Sequence, residues 1–233
     1  MAFHQRSISL PSRPHVSETE VEQELHSLEA SISSSSSINT TCDGLSCLAN
    51  IYDDLEEIIC LPSNQAYSSQ QRVMFDGELE GSLELLDLCG AMQETFAEMM
   101  VVIQELQVAL RKGDDAAAQA KMHSFTRLAK KARKHFKKTT KKAASNKMVM
   151  LLTKAREICI SLLESTLHLL SKQIEMPKQS LVCKAFCKNK TIVCKEEQLQ
   201  ELECIIEDLQ NGAGNLFRKL VQNRVSLLNI LSS

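Results

Sequence analysis

The sequence contains little of what strands and helix breaks require. Trp is absent, Tyr occurs twice, and there are only seven Gly and four Pro among 233 residues. The β-branched and aromatic residues do not alternate with polar ones, as they would in half-buried strands. Apolar residues make up 43% of the chain, which is ordinary for a globular protein. These observations predict an all-α protein.

Signals for membrane insertion, secretion and catalysis are also missing. The amino terminus has no apolar run, and no stretch approaches the roughly 20 uninterrupted apolar residues of a membrane helix. We therefore expect a cytoplasmic protein, with nuclear or peripheral membrane association as alternatives, and its nine cysteines as reduced thiols. Neither a phosphate-binding loop nor a dinucleotide-binding turn is present, so we predict no enzyme and no cofactor.

A zinc site would have to use Cys183, Cys187 and Cys194, with His168 as a distant fourth ligand. Structural zinc sites prefer a close Cys-x-x-Cys pair, and this spacing does not provide one. We therefore predict no metal site, and interpret these cysteines as buried or loop thiols.

The final stretch of the chain has the clearest helical periodicity. Its apolar and small residues recur at alternating steps of three and four, which is typical of a long helix buried along one face, as in a coiled coil. They are Leu199, Leu202, Ile206, Leu209, Ala213, Leu216, Leu220, Leu227 and Leu231. Only Asn223 or Arg224 can fill the missing step. Gly212 and Gly214 predict a kink or a change of packing partner.

Similar stripes, separated by helix-terminating signals, predict the remaining helices. A capping box at Ser17–Glu20 begins the first, Gly113 ends the longest, and Asp114 and Asn146 are N-caps for the two that follow. In the longest helix, 70–111, we interpret Met92, Met99 and Met100 as core filling and place Gly90 at a close helix crossing. The predicted buried face of this helix consists of Val73, Leu79, Leu83, Leu86, Gly90, Phe96, Met100, Ile103 and Leu110. Residues 17–233 are thus predicted to form one antiparallel bundle of five or six long helices, with a Ser-rich linker at 33–41 and a loop at 176–195.

Residues 1–16 are basic, rich in Ser and Pro, and free of acids, so we predict a disordered tail. The composition also suits a short transit peptide, although acidic residues follow at once. Within the tail, Arg6, Ser9 and Pro11 match the phosphoserine ligand of 14-3-3 proteins, with Ser9 as the phosphosite. Short motifs of this kind also match by chance.

Charge is distributed unevenly. Eleven Lys or Arg and no acid lie between residues 121 and 147, which leaves 16 basic and 29 acidic residues elsewhere, a net charge of −13. These residues belong to a predicted basic helix, about 116–143. It either packs on acidic helices or contacts an acidic partner or anionic membrane. The candidate partner-binding residues are Lys130, Lys131, Arg133, Lys134, Lys137, Lys138, Lys141 and Lys142.

Several blocks of sequence, taken together and in order, form a recognisable pattern. They are residues 6–15, 52–55, 61–62, 81–90, 106–111, 161–165 and 224–231. This pattern resembles the plant DUF241 family of helical proteins, which is related to the BYPASS proteins. Members often carry a Trp where this chain has Val73 and another where it has Phe186. The resemblance implies a plant protein without known enzymatic activity, linked to root and shoot development.

Together, these features predict a non-enzymatic interaction or regulatory factor that uses the basic helix as its contact surface. The alternative is a nuclear protein that associates with nucleic acid through the same helix, since a row of cations neutralises phosphates. Only two Phe interleave with the cations, and no base-reading motif accompanies them.

Overall fold

The computed structural model describes residues 16–34, 37–61, 69–136, 146–174 and 196–232, and within these ranges the regular structure is helical. The predicted all-α bundle is therefore confirmed, with six helices in the described ranges. They are α1 (Glu18–Ser34), α2 (Ile38–Ile59), α3 (Ser69–Arg111), α4 (Asp115–Ala132), α5 (Lys147–Gln173) and α6 (Glu196–Ser232), and a short 3-10 turn, Arg133–His135, follows α4.

The predicted helix ends are formed by the predicted side chains. The Ser17 backbone N–H donates to Glu20 Oε2 at 2.7 Å, and the Glu20 N–H donates to Ser17 Oγ at 3.3 Å, which completes a capping box. Asp114 and Asn146 accept from the backbone N–H groups three residues later. Gly113, which separates α3 from α4, has a φ of +68°, a conformation that residues with a Cβ rarely adopt.

Helix α6 buries the stripe that its spacing predicts, from Leu199 to Leu227. The missing step is filled by Asn223, whose side chain is buried and whose Nδ2 has no hydrogen-bond partner in the described structure. Arg224 instead turns sideways to α3, where it donates to the Leu79 carbonyl oxygen and, at 2.7 Å, to Ser82 Oγ. The buried face of α6 thus contains one buried amide, that of Asn223, and the guanidinium of Arg224 lies beside this face.

Residue pairs between helices establish their directions. Helices α3 and α6 are antiparallel, because Arg111 pairs with Glu196 at one end while Arg224 reaches Ser82 at the other. Helices α3 and α4 form an antiparallel hairpin joined at Gly113. Helices α2 and α6 run in the same direction: Gly212 lies against Leu45, Lys219 pairs with Asp53, and Ser226 bonds to Glu56.

The buried face of α3 is only partly the predicted one. Phe96, Ile103 and Met92 are buried as predicted. Val73 and Leu83 are exposed, however, and Phe75 and Leu85 are buried instead. The reason is that α3 packs against α4, α5 and α6, so different sides are covered along its 43 residues. A single stripe cannot describe such a helix. Gly90 was also wrongly predicted as a close crossing, because a Cβ built there would meet no atom within 4 Å.

The Ser-rich linker is shorter than predicted. Helix α1 continues to Ser34 and α2 begins at Ile38, so most of residues 33–41 are helical. The Ser33 hydroxyl donates to the Glu29 carbonyl oxygen at 2.8 Å, a bond that is compatible with a helix. Residues 1–15 of the predicted tail and the whole of the predicted loop at 176–195 lie outside the described residues.

Gly212 lies at a close contact of α6 with α2. A Cβ built at Gly212 would lie 3.2 Å from Leu45 Cβ, whereas one built at Gly214 would meet nothing within 4 Å. The helix is continuous through both residues. Gly212 is therefore required by helix packing, and Gly214 is not.

This difference predicts opposite effects of two substitutions. Gly214→Ala should raise the free energy of unfolding by up to about 1 kcal/mol, because Ala favours helix and has room there. Gly212→Leu should lower it by about 1–3 kcal/mol, because the larger side chain forces α2 and α6 apart. Urea unfolding followed by circular dichroism measures both. Equal effects at the two positions would show that Gly212 is not a packing contact.

Candidate partner-binding surface

Helix α4 presents a thin apolar face to the bundle and a polar face to solvent. It packs on α3 and α5 through five buried side chains. These are Ala118, Met122, Phe125, Ala129 and Ala132. Because four of the five are small or flexible, Phe125 is the main anchor, and the remaining faces are free for charged residues.

The basic helix ends earlier than predicted. The sequence interpretation extended it to Ala143, but the α-helix ends at Ala132, and Phe136 is extended with φ −80° and ψ 95°. From Arg127 onward, cations stand three and four residues apart, and like charges at that spacing destabilise a helix. The two cations in the last turn, Lys130 and Lys131, remain favourable because they face the negative end of the helix dipole.

Three of the predicted contact residues form an exposed basic patch at this end. Lys130, Lys131 and Lys134 are exposed, and within residues 16–34, 37–61, 69–136, 146–174 and 196–232 they have no ion-pair partner. Lys121, at the start of the same run, pairs with Glu105 on α3 at 2.6 Å. Packing on acidic helices therefore accounts for the beginning of the basic run and not for its end.

Arg133 belongs to the bundle rather than to this patch. It is half-buried, and its Nη2 lies 2.7 Å from His168 Nδ1 on α5. Its Nε is buried and has no partner among the described residues. The predicted role of Arg133 as a partner-binding residue is thus less direct than that of its neighbours.

The other predicted positions are outside the described ranges. They include four cations that continue the basic run, Lys137, Lys138, Lys141 and Lys142, and the tail residues Arg6, Ser9 and Pro11. The 14-3-3 contact through Ser9 stays a prediction. The cysteines weighed against zinc, Cys183, Cys187 and Cys194, lie outside these ranges too.

The sequence interpretation missed a polar cluster between α3 and α5. Glu78 Oε1 accepts from Thr153 Oγ1 at 2.6 Å and from Arg156 Nη2 at 3.3 Å. Arg156 lies over Gly81, where a Cβ would approach its Nε to 2.9 Å. A sequence signal existed: Glu78 falls on the same helical face as Leu85, and Arg156 follows the buried Ala155.

Two of the described cysteines, Cys42 and Cys159, are not activated as nucleophiles. Cys89 and Cys159 are buried against each other, and this contact together with burial raises the pKa of Cys159 well above its ordinary value. Burial likewise raises the pKa of Cys42 to about 11. Both thiols are therefore protonated at neutral pH, whereas the nucleophilic form is the thiolate.

The described part of the chain contains neither a metal-binding cluster nor a membrane-spanning helix. Within the described ranges, no group of three or more His, Cys, Asp or Glu is placed to hold a metal ion. None of the helices in that part of the chain combines the length and the apolar character needed to cross a bilayer.

Comparison with known proteins identifies one family model. The model described as Protein BPS1 matches residues 44–204 and, in a second match, residues 187–230. The two matches span α2 to α6 and include the exposed patch. Neither the curated proteins nor the solved structures contain a match.

Proposed function

This chain belongs to the Protein BPS1 family, and on that premise we propose that it is a non-enzymatic regulatory factor of plant development that acts by binding other molecules. Root and shoot development is the proposed process. Its contact with an anionic partner surface is the basic patch, Lys130, Lys131 and Lys134, with the four lysines that follow in the sequence.

The observation that carries this proposal is the contrast between paired and unpaired cations. Lys147 and Lys154 of α5 pair with Glu22 and Glu29 of α1, at 3.3 Å and 2.5 Å. Lys219 pairs with Asp53 at 2.7 Å. The three lysines of the basic patch have no such partner in the described structure, although acids outnumber bases across the rest of the chain. Their charge is available to a partner.

The apolar composition of the interior supports binding rather than catalysis. Phe75, Phe96 and Phe125 fill the core together with many Leu and Ile side chains. The described thiols with raised pKa values are poor nucleophiles at neutral pH. The exposed chemistry is electrostatic, and electrostatic surfaces serve steering and association.

A triple substitution tests the proposal. Lys130→Gln, Lys131→Gln and Lys134→Gln together should weaken binding to phosphatidylserine-containing vesicles, to polyglutamate, or to both. At about 1 kcal/mol for each cation near an anionic surface, the loss is roughly a hundredfold at moderate salt. Vesicle co-sedimentation and fluorescence anisotropy of labelled polyglutamate measure it.

The chain provides a control with the same change in net charge. Lys147→Gln, Lys154→Gln and Lys219→Gln remove three paired cations and should leave this binding within about threefold. If both triple variants lost the same binding affinity, the loss would come from the change in net charge. The basic patch would then no longer be the proposed contact. Tight binding to duplex DNA or single-stranded RNA, with a steep loss on adding salt, would favour the nucleic-acid alternative.

A further inference from the structure

A groove beside the basic patch has features of a small-molecule site. It lies between α3, α5 and the 3-10 turn, and its volume is about 260 Å³. Arg156 and Ile160 line it from α5, Leu85 and Leu88 from α3, and Lys134 and His135 from the turn. This volume suits a ligand smaller than a typical drug molecule.

Arg156 supplies a guanidinium with unused hydrogen-bond donors. Its side chain is only 15% exposed, yet its one ion pair in the described structure is the 3.3 Å contact with Glu78. Its Nε is buried against α3 without a partner. A guanidinium carries several N–H donors in a fork that matches a carboxylate. Because the Nε has no accessible surface, a ligand carboxylate in the groove would use the Nη donors that Glu78 does not occupy.

The apolar wall of the groove favours a ligand with an apolar body. Leu85 and Leu88 are buried at the base of the groove, and Ile160 is half-buried beside them. Apolar area that remains partly accessible next to a cation favours an amphiphilic ligand, because the ligand body removes that area from water. A bare inorganic anion would leave it uncovered.

Two acids restrict the charge of the ligand. Glu84 and Asp87 line the same groove from α3 and are exposed, as are Lys134 and His135. Their carboxylates repel a doubly charged phosphate more strongly than a singly charged acid. The deepest cation is Arg156, so a single negative charge is best placed at that side chain.

We propose that this groove binds a small monocarboxylic acid with an apolar body. The carboxylate accepts hydrogen bonds from Arg156, and the body lies against Leu85, Leu88 and Ile160. The groove shares Lys134 with the basic patch, but the carboxylate contact is Arg156, so this proposal does not depend on the proposed anionic contact. Sodium benzoate has the required chemistry and serves as the probe.

The test uses the full-length protein with ¹³C-labelled Leu and Ile methyl groups. Benzoate should shift the Leu85, Leu88 and Ile160 methyl resonances saturably, with a Kd of about a millimolar, as suits so small a ligand. Benzamide, which is uncharged and has the same shape, should bind at least tenfold more weakly. Inorganic phosphate should not displace benzoate.

Two variants and a control complete the design. Arg156→Gln should weaken benzoate binding at least tenfold and remove the preference over benzamide. Ile160→Ala leaves the cation in place and should weaken both ligands. Lys154→Gln, whose lysine pairs with Glu29 outside the groove, should change neither. Equal binding of benzoate and benzamide to the unaltered protein, shifts confined to other methyl groups, or displacement by phosphate would overturn the proposal even if Arg156→Gln does not fold.

Discussion

Leu85→Ala is expected to lower the free energy of unfolding by about 2–5 kcal/mol, whereas Leu83→Ala should change it by less than about 0.5 kcal/mol. The two leucines are two residues apart in α3, so helix propensity and chemistry are the same. Leu85 is 2% exposed and Leu83 is 49% exposed. Truncating Leu85 leaves a cavity in the core, and truncating Leu83 removes a side chain that is half in water.

Urea unfolding of the two variants, followed by far-ultraviolet circular dichroism, measures the difference directly. The slope of the unfolding free energy against urea should stay constant, which shows that the change lies in stability and not in compactness. If Leu83→Ala lowered the free energy of unfolding more than Leu85→Ala, Leu83 would lie on the buried face of α3, as the sequence periodicity predicts.

The second large effect is expected at the ion pair of Glu78 and Arg156. Their side chains are 10% and 15% exposed, and removing one partner of a buried pair leaves an uncompensated charge. Arg156→Met should therefore lower the free energy of unfolding by about 3–5 kcal/mol. The double variant with Glu78→Leu should recover most of that loss, because neither charge remains buried.

A surface ion pair is the matched control. Arg111 and Glu196 lie closer together, at 2.6 Å, but their side chains are 58% and 53% exposed. Arg111→Met should cost less than about 1 kcal/mol, because solvent screens the pair. Thermal and urea unfolding of the three variants provide the comparison. A loss at Arg111 equal to that at Arg156 would mean that distance, and not burial, determines the contribution of these pairs.

The parts of the fold that were predictable from the sequence are local. The Ser17–Glu20 capping box, the Asp114 and Asn146 caps and the turn at Gly113 each depend on side chains within a few residues. The α6 seam was predictable because one face of that helix is buried along its whole length. Local chemistry and a constant environment are therefore sufficient for these elements.

The remaining features depend on contacts between distant parts of the chain. Leu83 and Leu85 differ in burial because three helices cover α3 from different sides. The pair of Glu78 and Arg156 joins residues 78 apart in sequence, and spacing contains no record of it. The basic run of residues 121–147 combines a local and a non-local feature. Its composition is evident from the sequence. Which of its lysines form ion pairs, as Lys121 does and Lys134 does not in the described structure, depends on where α3 places its acidic residues.

The length of α3 determines how a partner would meet this molecule. Its 43 residues extend about 65 Å at about 1.5 Å per residue, whereas a compact chain of this size has a radius of gyration of only about 17 Å. The end of α4 lies beside Asp87 and Leu88, near the middle of that length. Anything that docks there meets the middle of α3, roughly 30 Å from either end of that helix.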